Sequence, residues 1–557
     1  MLLWFNSILT SLSKLRLTKT VFLFLFIPTL IFAQQEEHQG VFNAYLTTQA
    51  GIFIRDSSIG ASGTPQYDHQ LFGGETWLDA RYSNWGFDFG IRMDFYQNSN
   101  LINPQASFNQ QGIGRWFVKK SFSKLGFEAG YIYDQIGSGI LYRAYEQRNL
   151  GLDNALYGLK LNYDISPDWR LKAFSGKQKK QFETYESLIK GLSIEGYLQG
   201  SDSSHWSWAP GFGMTNRTLD DASMNNLLAT LGTYQPADQF LPAYNSYSFT
   251  LFNTVQIKDV GFYLETAIKN DDVLQDANGR RLNAAGETIL GPKFIKKSGH
   301  VIYGSMNYSN ADWGLSIEGK RTQYFGLRTR PQEGGNNGLI HFIPPMSRQN
   351  SYRLLSFYQP ATQELGELAF QGEMRITLTS DWDLLLHHSN IDDLHQNKLY
   401  REYLVESTIT KSDKYTLIFG TQLQQYNQEV YEGKPQAPLV KTLTPFVDFT
   451  HQWRETRALR IDAEYMMTAQ DQGDWTNLLI EYSVAPRWIF SISDMYNLKP
   501  LQGPKNNYYT GGVTYAKDAG RASINYVRQR AGIVCSGGIC RYEPAFNGVK
   551  FNLETRF

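Results

Sequence analysis

Cys535 and Cys540 are the two cysteines of the chain, separated by Ser-Gly-Gly-Ile. Two glycines let that short segment turn back on itself, so the pair reads as a disulfide pinning a loop in an oxidising compartment. The spacing is not Cys-x-x-Cys and no histidine is near in sequence, which ranks redox and metal chemistry below that reading. A second concentration of chemistry is GSGILYRAYEQRNLGLDN, residues 137–154. Arg143, Glu146, Arg148 and Asp153 supply both signs of charge, Tyr142 and Tyr145 are interleaved, and Gly137, Gly139 and Gly151 allow tight bends. Opposed cations and carboxylates inside a lumen set ion or solute preference, so these four are read as lining a constriction, against the plainer reading of a solvated loop. His388, Asp392 and His395 could reach one divalent ion, but His387 and His388 face opposite ways on a strand, and a polar strand end accounts for the group. Asp276, Asn278 and Glu287 take the first, third and twelfth places of a calcium loop, yet Arg280 and Arg281 occupy the places of an oxygen ligand and a glycine. Arg328, Arg330, Arg348 and Arg353, with Glu333, make a basic segment suited to surface sugars or phosphate, or simply to solvation. There is no His-Glu-x-x-His, no Gly-x-Ser-x-Gly and no phosphate loop. No catalytic residue, cofactor or resident metal is expected, and the chain is not expected to be an enzyme.

Composition names the class of scaffold that must hold these residues. Of 557 residues, 42% are hydrophobic, 19% charged and 14% aromatic, with 34 Phe, 34 Tyr and 48 Gly. A mean hydropathy of −0.40 excludes a bundle of membrane-spanning helices. Lys and Arg number 53, as do Asp and Glu, so no basic surface invites nucleic acid. Lys14, Arg16 and Lys19 precede a mostly apolar run over 21–32, and Ala33 precedes Gln34, which is the layout of a cleaved export signal over 1–33. That apolar run is too short for a bilayer, which needs about 20 residues.

Alternation then decides the fold. Trp85, Phe87, Phe89, Ile91, Met93 and Phe95 share one parity, while Asp88, Gly90, Arg92 and Asp94 share the other. One face of such a strand is apolar and the other polar or small, as in a barrel with lipid outside. Short polar turns recur, among them Ser83-Asn84, Ser166-Pro167-Asp168, Asn310-Ala311-Asp312, Ser380-Asp381 and Pro486-Arg487. Trp85, Trp169, Trp313, Trp382 and Trp488 follow these turns like an interfacial aromatic girdle. Longer polar loops lie between, at 55–70, 98–112, 137–153, 217–242, 270–297 and 323–365. The expected fold is all-β: a transmembrane antiparallel up-and-down barrel of about 24 strands (roughly 22–26), with long extracellular loops and short periplasmic turns, occupying 34–557 as one domain. The last strand alternates Val549, Phe551, Leu553, Thr555 and Phe557 with Lys550, Asn552, Glu554 and Arg556. Its terminal aromatic, Phe557, resembles the signal by which the barrel-assembly machinery recognises substrates for insertion. The first strand, near 41–54, follows the leader too closely for a plug domain, so an energy-coupled transporter is not expected.

The chain resembles outer-membrane barrels of the Bacteroidota and, more closely, one of their families of unknown function. GSGILYRAYEQRNLGLDN and the tail AGIVCSGGICRYEPAFNGVKFNLETRF carry that resemblance. It implies a single barrel in the outer membrane and supplies no activity. Two functions fit. The first is a porin-like channel for passive or substrate-preferring passage of small solutes. The second is a barrel plugged by its own loops, structural or secretion-associated, acting through periplasmic or cell-surface protein partners. A lumen of this width left open would breach the permeability barrier, so something must fill it.

Overall fold

The computed structural model describes residues 40–557 except 202–204, 283–285, 412–413, 502 and 537–538. The leader read over 1–33 lies outside the described residues, as do parts of the turns at 201–204 and 411–413.

Among the described residues, twenty-four antiparallel strands form a closed barrel. They are β1 Val41–Phe53, β2 Phe72–Asn84, β3 Phe87–Ser99, β4 Phe108–Ser121, β5 Leu125–Ile132, β6 Leu156–Ser166, β7 Trp169–Lys180 and β8 Glu183–Gly196, which continues through Leu198–Gln199. Then come β9 Trp206–Thr218, β10 Asn245–Ile257, β11 Val260–Asp276, β12 Lys293–Ser309, β13 Trp313–Gln323, β14 Gly366–Thr379, β15 Trp382–Asp392 and β16 Lys398–Lys411. The last eight are β17 Tyr415–Tyr426, β18 Val440–Arg454, β19 Arg457–Met466, β20 Asp474–Val484, β21 Trp488–Lys499, β22 Asn507–Lys517, β23 Gly520–Gln529 and β24 Phe546–Arg556. Each strand pairs with its sequence neighbours, and β24 closes the ring on β1 in a register running from Tyr45↔Arg556 to Phe53↔Gly548. Closure leaves no unpaired edge, which is what lets strands cross hydrocarbon. Tyr67 clasps the top of this seam: its hydroxyl donates to the Ala545 carbonyl at 3.0 Å and accepts from the Asn547 amide at 3.1 Å. Phe557 pairs its backbone with Ala44 at the other end of the seam.

The period of two along the strands sorts the side chains. In β10, Ser246, Ser248, Thr250 and Phe252 are buried inward while Tyr247, Phe249 and Leu251 are exposed outward. The outward parity of other strands is likewise apolar and exposed, as Phe89 and Ile91, Leu159 and Leu161, and Ile492 show. A continuous apolar belt of this extent needs lipid against it, so the chain is a membrane-spanning barrel of the outer-membrane type. Trp85, Trp313, Trp382 and Trp488 are exposed at the short-turn rim, and Trp169 lies over Gly196 of the neighbouring strand. The small residues of the inner parity have a packing reason. Phe117, Phe174, Phe252 and Phe446 each lie against an inward glycine directly opposite on the next strand: Gly90, Gly191, Gly211 and Gly420. The rings fill the space a Cβ would need there.

Two expectations need correction. The turn read at Ser83-Asn84 falls at Trp85-Gly86, where φ is 52° and 72°, the two positive values a type I′ hairpin requires. The loop read at 217–242 contains a helix, α1, Asp221–Gly232, whose first turn is capped by Asp220 accepting from the Ser223 amide at 2.8 Å. Among the described residues no helix is long and apolar enough to cross a membrane.

The lumen is filled on one side only. In β18 the inward Thr442, Thr444, Phe446 and Asp448 are buried, but Thr450 is half-buried and Gln452 exposed nearer the short turns. In β14 Glu367 and Ala369 are buried while Arg375 and Thr377 are exposed. The extracellular half is packed and the periplasmic half is an open polar vestibule.

Candidate functional site

Two loops turn inward to fill that half: 133–155, between β5 and β6, and 324–365, between β13 and β14. The shorter carries Ile136, Ile140, Leu141 and Tyr142, and the longer carries Phe325, Ile340, Ile343, Met346 and Leu354; all are buried in one cluster that also takes Phe174, Val301, Tyr400 and Trp475 from the wall. The loops bond to each other directly. Arg143 N donates to Ile340 O at 2.8 Å, Phe342 N donates to Gly139 O at 2.9 Å, and Asn154 Nδ2 donates to Leu339 O at 3.1 Å. Apolar residues fill the interior of a large barrel because the wall's own polar side chains cannot span it.

The shorter loop is fastened to the wall by charge. Arg92 of β3, almost fully buried, forks onto Asp94 at 2.6 and 2.9 Å and also reaches Glu146 at 2.6 Å and Asp153 at 3.2 Å. Lys179 of β7 donates to Asp153 at 2.5 Å, Tyr133 donates to it at 2.8 Å, and Arg148 joins Glu146 at 3.1 Å. Burial works to raise the Asp153 carboxyl's pKa, but Lys179 and Arg92 outweigh it and hold it below the usual carboxylate value. At the loop's tip, the fully buried Glu265 of β11 accepts from the Ser138 amide and hydroxyl at 3.0 and 2.5 Å. Tyr263 and Thr250 complete that carboxylate's partners, at 2.6 and 2.9 Å.

The longer loop is held through its backbone. Glu464 of β19 accepts from the Arg353 and Leu354 amides at 2.9 and 2.6 Å. Gln422 of β17 donates to Leu355 O at 3.2 Å, Ser389 of β15 donates to Met346 O, and Lys320 of β13 donates to Pro344 O while pairing with Glu367 at 2.7 Å. Within the loop His341 is buried with Nε2 3.7 Å from Glu364. Burial pulls its pKa below the ordinary histidine value, and the Glu364 carboxylate only partly offsets that.

The structure thus brings Glu146, Arg148 and Asp153 together around Arg92, in a clamp between loop and wall. Arg143 stands apart, its guanidinium over the rings of Tyr145 at 4.5 Å and Phe342 at 4.2 Å. Cys535 and Cys540 are joined in a disulfide within the loop between β23 and β24. His387 faces the lumen between Glu373 at 4.0 Å and Glu402 at 3.6 Å, whereas His388 faces outward, stacked on Tyr403. His388, Asp392 and His395 therefore do not converge: Asp392 pairs with Arg401 at 2.7 Å, and Asp393 accepts from the His395 amide in a local turn. Asp276 accepts from the Asn278 amide at 3.0 Å, an ordinary turn contact. Arg328, Arg330 and Arg348 are paired with Glu364, Glu333 and Glu373. Reading the sequence missed Arg92, Glu265 and Glu464. Each is a charged residue of the inner parity, and that parity alone does not say which charges meet water and which meet a loop.

Among solved structures the chain is similar to the ferric-catecholate import receptor Fiu from E. coli K12, at 9% identity and TM-score 0.38, covering 94% of this chain and 82% of that one. It is similar to the siderophore receptor PirA from Pseudomonas aeruginosa, at 8% identity and TM-score 0.38, covering 93% and 80%. It is also similar to the outer membrane protein opdK from Pseudomonas aeruginosa, at 11% identity and TM-score 0.34, covering 81% and 99%. No curated protein matches it. One family model, described as "Family of unknown function (DUF6029)", matches residues 16–557.

Proposed function

The chain belongs to that family of unknown function, which brings no activity with it, and from the lumen's geometry we propose a loop-plugged outer-membrane barrel that acts at its two ends through partner proteins rather than as a standing pore. The observation that carries this is the shared dry core of the two loops. Ile136, Ile140, Leu141, Phe325 and Leu354 have no solvent exposure although they lie inside the ring of strands. Ions do not cross a core packed this way without displacing it. A porin-like passage is the second reading, favoured by the open, polar periplasmic vestibule, which moving one loop would turn into a continuous channel. Residues 1–33 act in this reading as the export leader, and a purified chain starting at Gln34 would bear that out.

Single-channel recording in planar bilayers separates the two. Folded protein is expected to be silent, and a variant with residues 138–151 replaced by a short Gly-Ser linker is expected to conduct. Large steady openings of the unaltered protein would overturn the plugged reading in favour of the pore.

A further inference from the structure

We propose that the extracellular mouth of the lumen contains a binding site for a small organic oxyanion, a solute bearing carboxylate or phosphate, formed by Arg353 and Arg530. Both line one cavity of about 280 Å³, together with the amides of Gln349, Asn350, Gln359 and Gln529. A second cavity of about 290 Å³ shares Arg530, Phe357 and Gln359 with the first, so the space continues past the guanidinium. These volumes sit at the lower end of ligand pockets and suit a small solute.

The charge at this place is what distinguishes it. The other arginines of the longer loop, Arg328, Arg330 and Arg348, are each neutralised by a glutamate. Arg353 and Arg530 form no ion pair with a carboxylate among the described residues. The acids that line the second cavity with Arg530 are Asp471 and Glu432, both paired with Lys434, at 2.9 and 2.7 Å, and Asp471 also accepts from Tyr358 at 2.9 Å. Lys550 lies one side chain away, donating at 3.4 Å to Gln529 of the cavity lining. A guanidinium presents a planar fork that matches carboxylate and phosphate, and two of them on one cavity offer an anion a pair of such forks.

The site is also built in advance. Arg530 lies 3.8 Å from the Phe357 ring centroid and 5.8 Å from that of Trp475, and donates to Gln472 at 3.2 Å. The backbone of Arg353 is fixed by Glu464, and the disulfide-closed hairpin forms the opposite wall through Cys535. Little ordering is left to be done on binding. Trp475 is an inward residue of the wall, so the cavity opens inside the ring of strands, where a headgroup anchored in the bilayer does not reach. The site stands whether or not the barrel conducts, and silent bilayers leave it untouched.

Isothermal titration of the full, detergent-folded chain with inorganic phosphate, with glucuronate and with glucose as the neutral control tests it. Saturable binding of phosphate or glucuronate without glucose binding is expected. Arg353→Gln, at an exposed side chain, should weaken it by about tenfold or more, the worth of one hydrogen bond to a charged group. Arg530→Lys, which keeps the charge and loses the fork, should weaken it by a similar factor. Binding unchanged in Arg353→Gln, glucose binding as well as glucuronate, or no binding of either anion at millimolar concentration would overturn the proposal. Binding seen only with anionic lipid micelles would overturn it too, because the phosphate recognised would then be a headgroup's outside the wall.

Discussion

Residues 133–155 reach the wall through a buried set of ion pairs centred on Arg92, whereas residues 324–365 reach it mainly through backbone amides and carbonyls and apolar side chains, with Arg348 the one side chain ion-paired to wall carboxylates, Glu373 and Glu406, among the described residues. The two loops share one core, so the difference lies in what fixes them. Buried ion pairs stabilise little against an apolar alternative, but they penalise any arrangement that leaves one charge alone. The shorter loop is therefore held in a single position. The longer one owes its place to area removed from water, which tolerates small shifts. The difference suits a plug in which one loop is a fixed post and the other can move against it.

Four changes would break or sharpen that contrast. The largest effect is expected from Arg92→Leu, which leaves the buried Asp94 without its cation and takes one partner each from Glu146 and Asp153. About 3–5 kcal/mol should be lost, and the shorter loop should become open to protease in folded protein. Resistance equal to that of the unaltered chain would deny the clamp its role. Leu354→Ala should cost about 2–5 kcal/mol in denaturant titration by leaving a cavity in the core while the Arg92 clamp stays protected from hydrogen exchange. Replacing Cys535 and Cys540 by Ser should cost on the order of 2 kcal/mol or less, given the few residues the bond encloses. The unreduced, denatured protein should show no free thiol, and two per chain would remove the bond altogether. The smallest effect is that of mild acid. His341 is held neutral in the fold while an unfolded chain takes up the proton near 6.5, so its contribution is whole above that pH and declines below it. Asp153, held below 3.8, contributes fully above about pH 4 and loses that only under stronger acid. Hydrogen-exchange protection, taken relative to the intrinsic rate at each pH, should therefore fall between pH 7 and 5 in the longer loop and stay unchanged in the shorter one, and the reverse order would contradict the assignment of the two anchors.

Much of the wall was legible because a strand's period of two writes itself directly into the chain. Phe87 to Phe95 on one parity and Asp88 to Asp94 on the other place lipid and lumen without further information. The disulfide was legible from two glycines between two cysteines. The interior was only half legible. Glu146, Arg148 and Asp153 stood out by charge, but their partner Arg92 lies in a strand of ordinary pattern, more than fifty positions away from Glu146. The length of 323–365 marked it, with 217–242 and 270–297, as able to fill the lumen, but which of its residues are buried left no sign, because Ile340, Ile343, Met346 and Leu354 follow no period: an inward loop has no regular face to present. Trp85 misled by resembling a strand's first residue when its positive φ makes it part of the turn.

The seam between β1 and β24 bears on how the molecule is assembled. Its pairs join Tyr45 to Arg556 and Phe53 to Gly548, contacts that span nearly the whole described chain. Every other wall pairing joins strands adjacent in order and can zip up locally, but this one must wait for both ends to find each other. Contacts of such separation carry the highest loop-closure entropy and form slowly. Until they form, β1 and β24 are two bare edges able to pair with other chains. The ring's last hydrogen bonds are thus the ones on which its escape from aggregation depends, and Tyr67, bonded to Ala545 and Asn547, is placed to make that final step hard to reverse.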